Sequence, residues 1–373
     1  MLVVYIILLG YIGLTMYLAN QTEAARQAML ARRRREGTPE DAPLYDSDYR
    51  EQASAIRGLL YGGVFLIAMF APFILYIGFI ANTMDPAEAE AAGLIVPDVG
   101  WGATIFGVLI ALGGAAAAYA ATTSQDVRRL LARLIGDRGR YDTGSPVHTT
   151  GVVLSLLLLI GQIIQFLAIG GPEGLAQSIE QGGVDPTSLF FQMALQVAAA
   201  FLGVGWAIRR NTEQSLGRLG LRLPTADDLR WGIGGGLLLM VALFAFNIVV
   251  NVITLIVDPD AFEASARASQ VLTEALSTLP LALIVATTAA IGEELLFRGA
   301  LQPIFGNVLV SIFFALLHTQ SLLSPGLIFL FLVSYGLGWL RERHSTTTAI
   351  IAHFVYNFVQ LLLAILIAQS GAA

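Results

Sequence analysis

Ten apolar runs, each near the length of a bilayer crossing and almost free of charge, constrain this chain more than any other feature. They fall at about 1–19, 58–81, 99–121, 149–170, 187–208, 231–257, 279–301, 303–320, 322–340 and 346–369. A helix of roughly 20 apolar residues crosses a bilayer. In lipid the backbone must satisfy its own N–H and C=O groups, which favours helices. The expected fold class is all-α, a polytopic membrane helix bundle of about ten transmembrane helices. The eighth run is short and contains Pro303 and Gly306, so it is expected to be short, tilted or re-entrant. The first run has no basic residue ahead of its apolar core and no small-residue cleavage site, so it reads as a first span and not as a cleaved signal.

Composition narrows the function classes. Charged residues make up 13% of the 373 and hydrophobic ones 56%, whereas soluble domains carry about 25% charge. A net charge of −6 lacks the basic footprint of a nucleic-acid binder. Without cysteine, disulfides, thiolate metal sites and cysteine nucleophiles are excluded. All 21 basic residues are arginine; lysine absence with an acidic balance points to a prokaryotic source.

The arginines set the orientation. The linkers at about 20–57, 122–148 and 209–230 hold seven, five and five of them. Those at 82–98 and 171–186 hold none, and 258–278 holds Arg267 alone. The first three are therefore expected in the cytoplasm of a prokaryotic cell whose membrane the chain crosses many times. The linker at 20–57 also carries seven acids and two prolines, and reads as a solvated helix-and-loop segment. The stretch Gly232 to Gly236 opens a span without a phosphate-loop lysine, which favours close helix packing over phosphate binding.

Two acids interrupt the apolar pattern. Glu293 and Glu294 lie late in the seventh run, where a charge costs roughly 2.5–3.5 kcal/mol on insertion scales. Glu294 and Arg298 are four apart and share a helix face, while Glu293 is rotated by about 100° and free to face something else. His318 closes the eighth run one turn after Phe314, and His353 and Asn357 project from one face of the last run. His148 and His344 read as linker residues. Each polar group has a bland reading when taken singly: a structural ion pair, or a hydrogen bond between helices. Together, on three helices, they read as a functional site.

In this order the motifs Glu293-Glu294-Leu-Leu-Phe-Arg298, Phe314-Ala-Leu-Leu-His318 and His353-Phe-Val-Tyr-Asn357 resemble the CPBP family. That family includes type II CAAX prenyl endopeptidases, bacteriocin-processing and self-immunity proteins, and the Abi proteins. The resemblance covers about 280–368 and implies an intramembrane endopeptidase. It suggests a division into amino-terminal helices, 1–225, of unassigned role and a protease-like core, 226–373.

Peptide hydrolysis needs an activated water and a stabilised oxyanion. Glu293 can take the proton of the water, and His318 can hold that water. His353 and Asn357 can donate to the oxyanion, with Glu294 and Arg298 in support. The family resemblance implies the same roles. No obligatory cofactor is expected. The alternative is a divalent metal such as zinc on Glu293, His318 and His353, with Glu294 as base. The expected partner is a membrane-associated peptide or protein substrate in the lipid bilayer, with no nucleic acid. The competing functions are a proton-coupled membrane transporter and a non-catalytic membrane scaffold. All three candidate side chains are expected to meet in one cavity. Glu293 and His353 fall toward the cytoplasmic side, and His318 reaches them only if the eighth run does not span fully.

Overall fold

The structure is a computed structural model. It describes residues 2–37, 47–81, 83, 99–259, 262, 270–271, 274–276, 278–322 and 324–369. Arg267, Pro39, Pro43 and, apart from Thr83, the linker at 82–98 lie outside the described residues.

The described residues form helices and no strand. The long ones are α1 (Leu2–Glu36), α2 (Ser47–Ala81), α3 (Trp101–Thr123), α5 (Pro146–Ala168), α7 (Pro186–Val204), α9 (Ala226–Val257), α10 (Leu279–Glu293) and, after a π-helical segment (Glu294–Leu301), α11 (Gln302–Leu317), α12 (Gly326–Arg343) and α13 (Thr346–Gln369). Three shorter helices lie between spans: α4 (Gln125–Ile135), α6 (Gly171–Gly182) and α8 (Thr212–Leu219). Helix starts follow local chemistry. Ser145 and Asp185 cap α5 and α7, with proline in the first turn of each, where its missing N–H costs no bond. Asn211 and Thr225 open α8 and α9 with capping boxes.

Eight helical stretches among the described residues are long and apolar enough to cross a membrane. The protein is a multi-pass helical membrane protein. Large apolar side chains on the outer faces, such as Leu109 at 65% and Leu238 at 69% exposure, make sense only against lipid.

The count differs from about ten because two runs merge and a third carries too much charge for its length. The seventh and eighth join as one bent stretch, Leu279–Leu317. The ninth becomes α12, which ends in Arg341, Glu342 and Arg343. Gln302 donates to the Gly338 carbonyl at 3.0 Å and to Glu342 at 2.9 Å, while Asn307 donates back to the Tyr335 carbonyl at 3.0 Å. Phe314 then returns to the Phe297 ring, with centroids 5.2 Å apart. The chain therefore reverses at Gly306, whose φ is 78°. Only glycine takes that conformation without strain, and a Cβ there would lie 2.9 Å from the Arg138 carbonyl oxygen. The returning part, 307–317, is about 16 Å long, roughly half of a bilayer core.

Two packed groups result. Leu60, Ala115, Ala118 and Val153 centre the first, built from α1, α2, α3 and α5. The second joins α12 and α13, with Val333, Leu337 and Ala352 in its core and α9 against it. α7 and α8 lie on the amino-terminal side of residue 225, yet pack directly on the π segment, through Ala200, Val204 and Leu219 against Leu295 and Ala300.

The glycines of α9 explain its close approach to α13. A Cβ on Gly236 would lie 2.8 Å from the Val355 Cβ, and one on Gly232 would lie 2.7 Å from the Ile351 Cβ. Gly236→Val is expected to cost about 1–3 kcal/mol through overpacking, read as a lower melting temperature of the purified chain. At the head of this seam Asp228 is fully buried. It accepts from Thr225, Arg222, Ser345 and Thr348, tying the starts of α9 and α13 together.

Candidate functional site

The acidic pair sits where α10 gives way to the π segment. Such i→i+5 segments are rare and recur at functional sites. Two glycines let neighbouring backbones close in on it. A Cβ on Gly292 would lie 3.1 Å from the Met193 Cα of α7, and one on Gly299 would lie 3.1 Å from the Leu219 carbonyl oxygen of α8.

Glu294 is the hub. Its side chain is fully buried. One carboxylate oxygen lies 3.1 Å from the Nε of Arg298, itself 1% exposed. The other lies 2.8 Å from Nδ1 of His353. Arg298 extends further, donating to the Ser334 carbonyl at 3.1 Å and to its hydroxyl at 3.0 Å. A carboxylate between two basic groups is how a buried charge becomes tolerable. The same contact fixes the His353 ring and leaves its Nε2 free.

Phe314 bridges the remaining groups. Its ring lies 4.8 Å from the Arg298 guanidinium carbon, a cation–π distance. It also lies 4.5 Å from the His318 ring and 6.4 Å from the His353 ring, between centroids. The short returning helix brings His318 to this depth. His318 Nδ1 is 2.9 Å from the Phe314 carbonyl oxygen. A carbonyl only accepts, so Nδ1 carries the proton and Nε2 presents a lone pair.

Glu293 is half-buried, whereas Glu294 is fully buried. The Oε2 of Glu293 is enclosed with no partner in the protein, as is Nη1 of Arg298. Two acceptors, Glu293 Oε2 and Glu294 Oε2 (the latter in ion-pair range of Arg298), and one donor thus lack a hydrogen bond within one motif, where buried polar groups are almost always matched. Asn357 is half-buried and makes no hydrogen bond to a described residue.

The metal alternative can be tested on the donor set. Among the described residues no three His, Asp or Glu side chains gather closely enough to hold one ion. Glu293, His318 and His353 as they stand do not form a three-donor set, and no step below is routed through a metal. The two linker histidines are engaged elsewhere. His148 Nδ1 accepts from the Asp142 N–H at 2.9 Å, and His344 lies 3.2 Å from Asp227.

Two features were not read from the sequence. Ser334 anchors Arg298, and its signal was a lone hydroxyl within an apolar run. Glu294 binds His353 as well as Arg298, and the separation of 59 positions hides that pairing.

Residues 275–359 match the family model described as type II CAAX prenyl endopeptidase Rce1-like. The matched segment contains Glu293, Glu294, Arg298, His318, His353 and Asn357. No curated protein and no solved structure matches the chain.

Proposed function

We propose, taking the CAAX-protease-like carboxyl-terminal segment as premise, that this chain is an intramembrane endopeptidase. Its substrate is a membrane-associated peptide or small membrane protein, and its nucleophile is a water activated by Glu293 and His318. The observation that carries this reading is the unpaired, enclosed Oε2 of Glu293 beside the fixed Glu294–Arg298–His353 set. A base must have a free lone pair, and the residues around it must already be held.

The steps follow from the donors and acceptors. Water donates one hydrogen to Glu293 and the other to Nε2 of His318. Its oxygen attacks the peptide carbon as Glu293 takes the proton. The developing oxyanion accepts from Nε2–H of a doubly protonated His353, which keeps Nδ1–H on Glu294, and from the Asn357 amide. As the oxyanion forms, Glu293 is neutral with the transferred proton, and the oxyanion and Glu294 balance Arg298 and His353, so the site carries no net charge in a low-dielectric setting. The C–N bond then breaks, and the proton held by Glu293 passes to the departing amine.

The test compares peptides released from membranes carrying the wild-type chain with those from membranes carrying Glu293→Gln. Specific peptides that vanish with the variant support the reading. An unchanged peptide set from an expressed wild-type chain overturns it.

A further inference from the structure

Away from the acidic pair, at the arginine-rich end of the bundle, the amino-terminal helices and Ile304 border a cavity of about 180 Å³. That is several times the roughly 30 Å³ share of one water. Arg209, Arg210 and Arg218 line it, together with Glu23, Asp142 and His148. The two carboxylates are already held by another residue. Arg26 lies 3.2 Å from Glu23 and 2.8 Å from Asp142. Glu23 also accepts from Gln27 and from Ser145.

The three lining arginines have only neutral acceptors. Arg209 donates to the Asn20 side chain at 2.7 Å, Arg210 to the Val204 carbonyl, and Arg218 to the Gly299 and Ala300 carbonyls. Each guanidinium carries five N–H donors, so most remain unused. Burial, then the nearby charges of Arg210, Arg341, Arg140 and Arg209, holds the Arg218 guanidinium down to about 10. His148 adds a donor, because its Nδ1 accepts from Asp142 and its Nε2 therefore carries the hydrogen in the neutral ring. The loop presenting Arg209 and Arg210 is held tightly: the N–H groups of Ile208, Arg209 and Arg210 all bond to the Gly205 carbonyl. Ala207 within it takes a φ of 60°, the one positive φ outside glycine among the described residues, and such strain is kept where surroundings over-determine it.

We infer that Arg209, Arg210 and Arg218 form a binding site for a phosphate-bearing anion. The three guanidinium groups repel one another across the cavity, and the nearby Glu23 carboxylate, which attracts Arg209 and Arg210, is shared with Arg26. A tetrahedral dianion relieves that repulsion and accepts forked hydrogen bonds from each of them. Basic pockets between membrane helices take phosphate headgroups for the same reason. The chemistry is shared by an anionic lipid headgroup and by soluble phosphate. The site also has a structural reach, because Arg218 holds the carbonyls that follow Arg298 and Ile304 of the Gly306 turn lines the cavity. It stands whether or not the chain hydrolyses peptides.

The experiment is thermal melting of the purified full chain in neutral detergent. Inorganic phosphate, phosphatidylglycerol and, as control, phosphatidylcholine are added in separate arms. Wild type is expected to melt several degrees higher with a phosphate anion and to ignore phosphatidylcholine. A response to inorganic phosphate assigns a soluble ligand; a response to phosphatidylglycerol alone assigns a headgroup. R209Q/R210Q is expected to bind roughly tenfold more weakly or worse, since two charge-assisted contacts are lost. Without anion it should melt within a few degrees of wild type, because the lost bonds to Asn20 and Val204 are offset by the relief of like-charge repulsion. A wild type that responds to neither anion overturns the proposal, and so does a response that survives intact in R209Q/R210Q. Should the double variant not fold, Arg210→Gln carries the same comparison, with exposed Arg129→Gln as control.

Discussion

Glu293→Gln is expected to lower peptide-bond hydrolysis by about 10²- to 10⁴-fold, the range for loss of a positioned general base, while leaving the melting temperature of the chain near wild type. The asymmetry comes from the surroundings. Glu293 is half-buried and its Oε2 has no partner in the protein, so glutamine removes the base without orphaning a neighbour. Glutamine keeps the size and the hydrogen-bonding carbonyl, but it cannot hold the transferred proton. The measurement pairs peptide release from membranes with thermal melting of the purified variant. Full activity in Glu293→Gln would remove this residue from the mechanism and pass the role of base to another group.

Glu294→Gln is expected to do the opposite to stability. Its carboxylate contacts Arg298 at 3.1 Å and His353 at 2.8 Å, and both it and Arg298 are shut away from solvent. Removing the charge leaves a buried guanidinium without its counter-ion, a change that costs about 3–5 kcal/mol in comparable buried pairs. Reduced accumulation and a markedly lower melting temperature are the readouts. Arg298→Met in the same background should restore part of the loss, because it is the unpaired charge that is costly and not the missing pair. A Glu294→Gln chain that melts like wild type yet releases no peptide would instead make Glu294 the base.

These two variants also separate what neighbouring residues do. Glu293 and Glu294 are adjacent and chemically identical, and nothing in their own sequence tells the base from the hub. The four-residue spacing to Arg298 identifies one partner of Glu294. The second partner, His353, comes from α13, and a separation of 59 positions carries no spacing rule.

The sequence by itself determined that this is a multi-pass helical membrane protein. Apolar runs of bilayer length admit few other backbones, since each N–H and C=O must be satisfied within the segment. It also named the residues that merit attention, because charged and polar groups in such runs are expensive and stand out. It placed the glycines of α9 in helix packing, and Gly232 and Gly236 do face α13. What the tertiary structure decided was depth and pairing. Gly306 turns the seventh and eighth runs into one reversing element, so that His318 stops beside Phe314. Hydropathy counts apolar residues but is blind to a single positive φ. The π segment, the Glu294–His353 contact and the arginine-lined cavity are likewise products of long-range packing. Each depends on which helix faces lie together, and that is set by the whole core and not by local pattern.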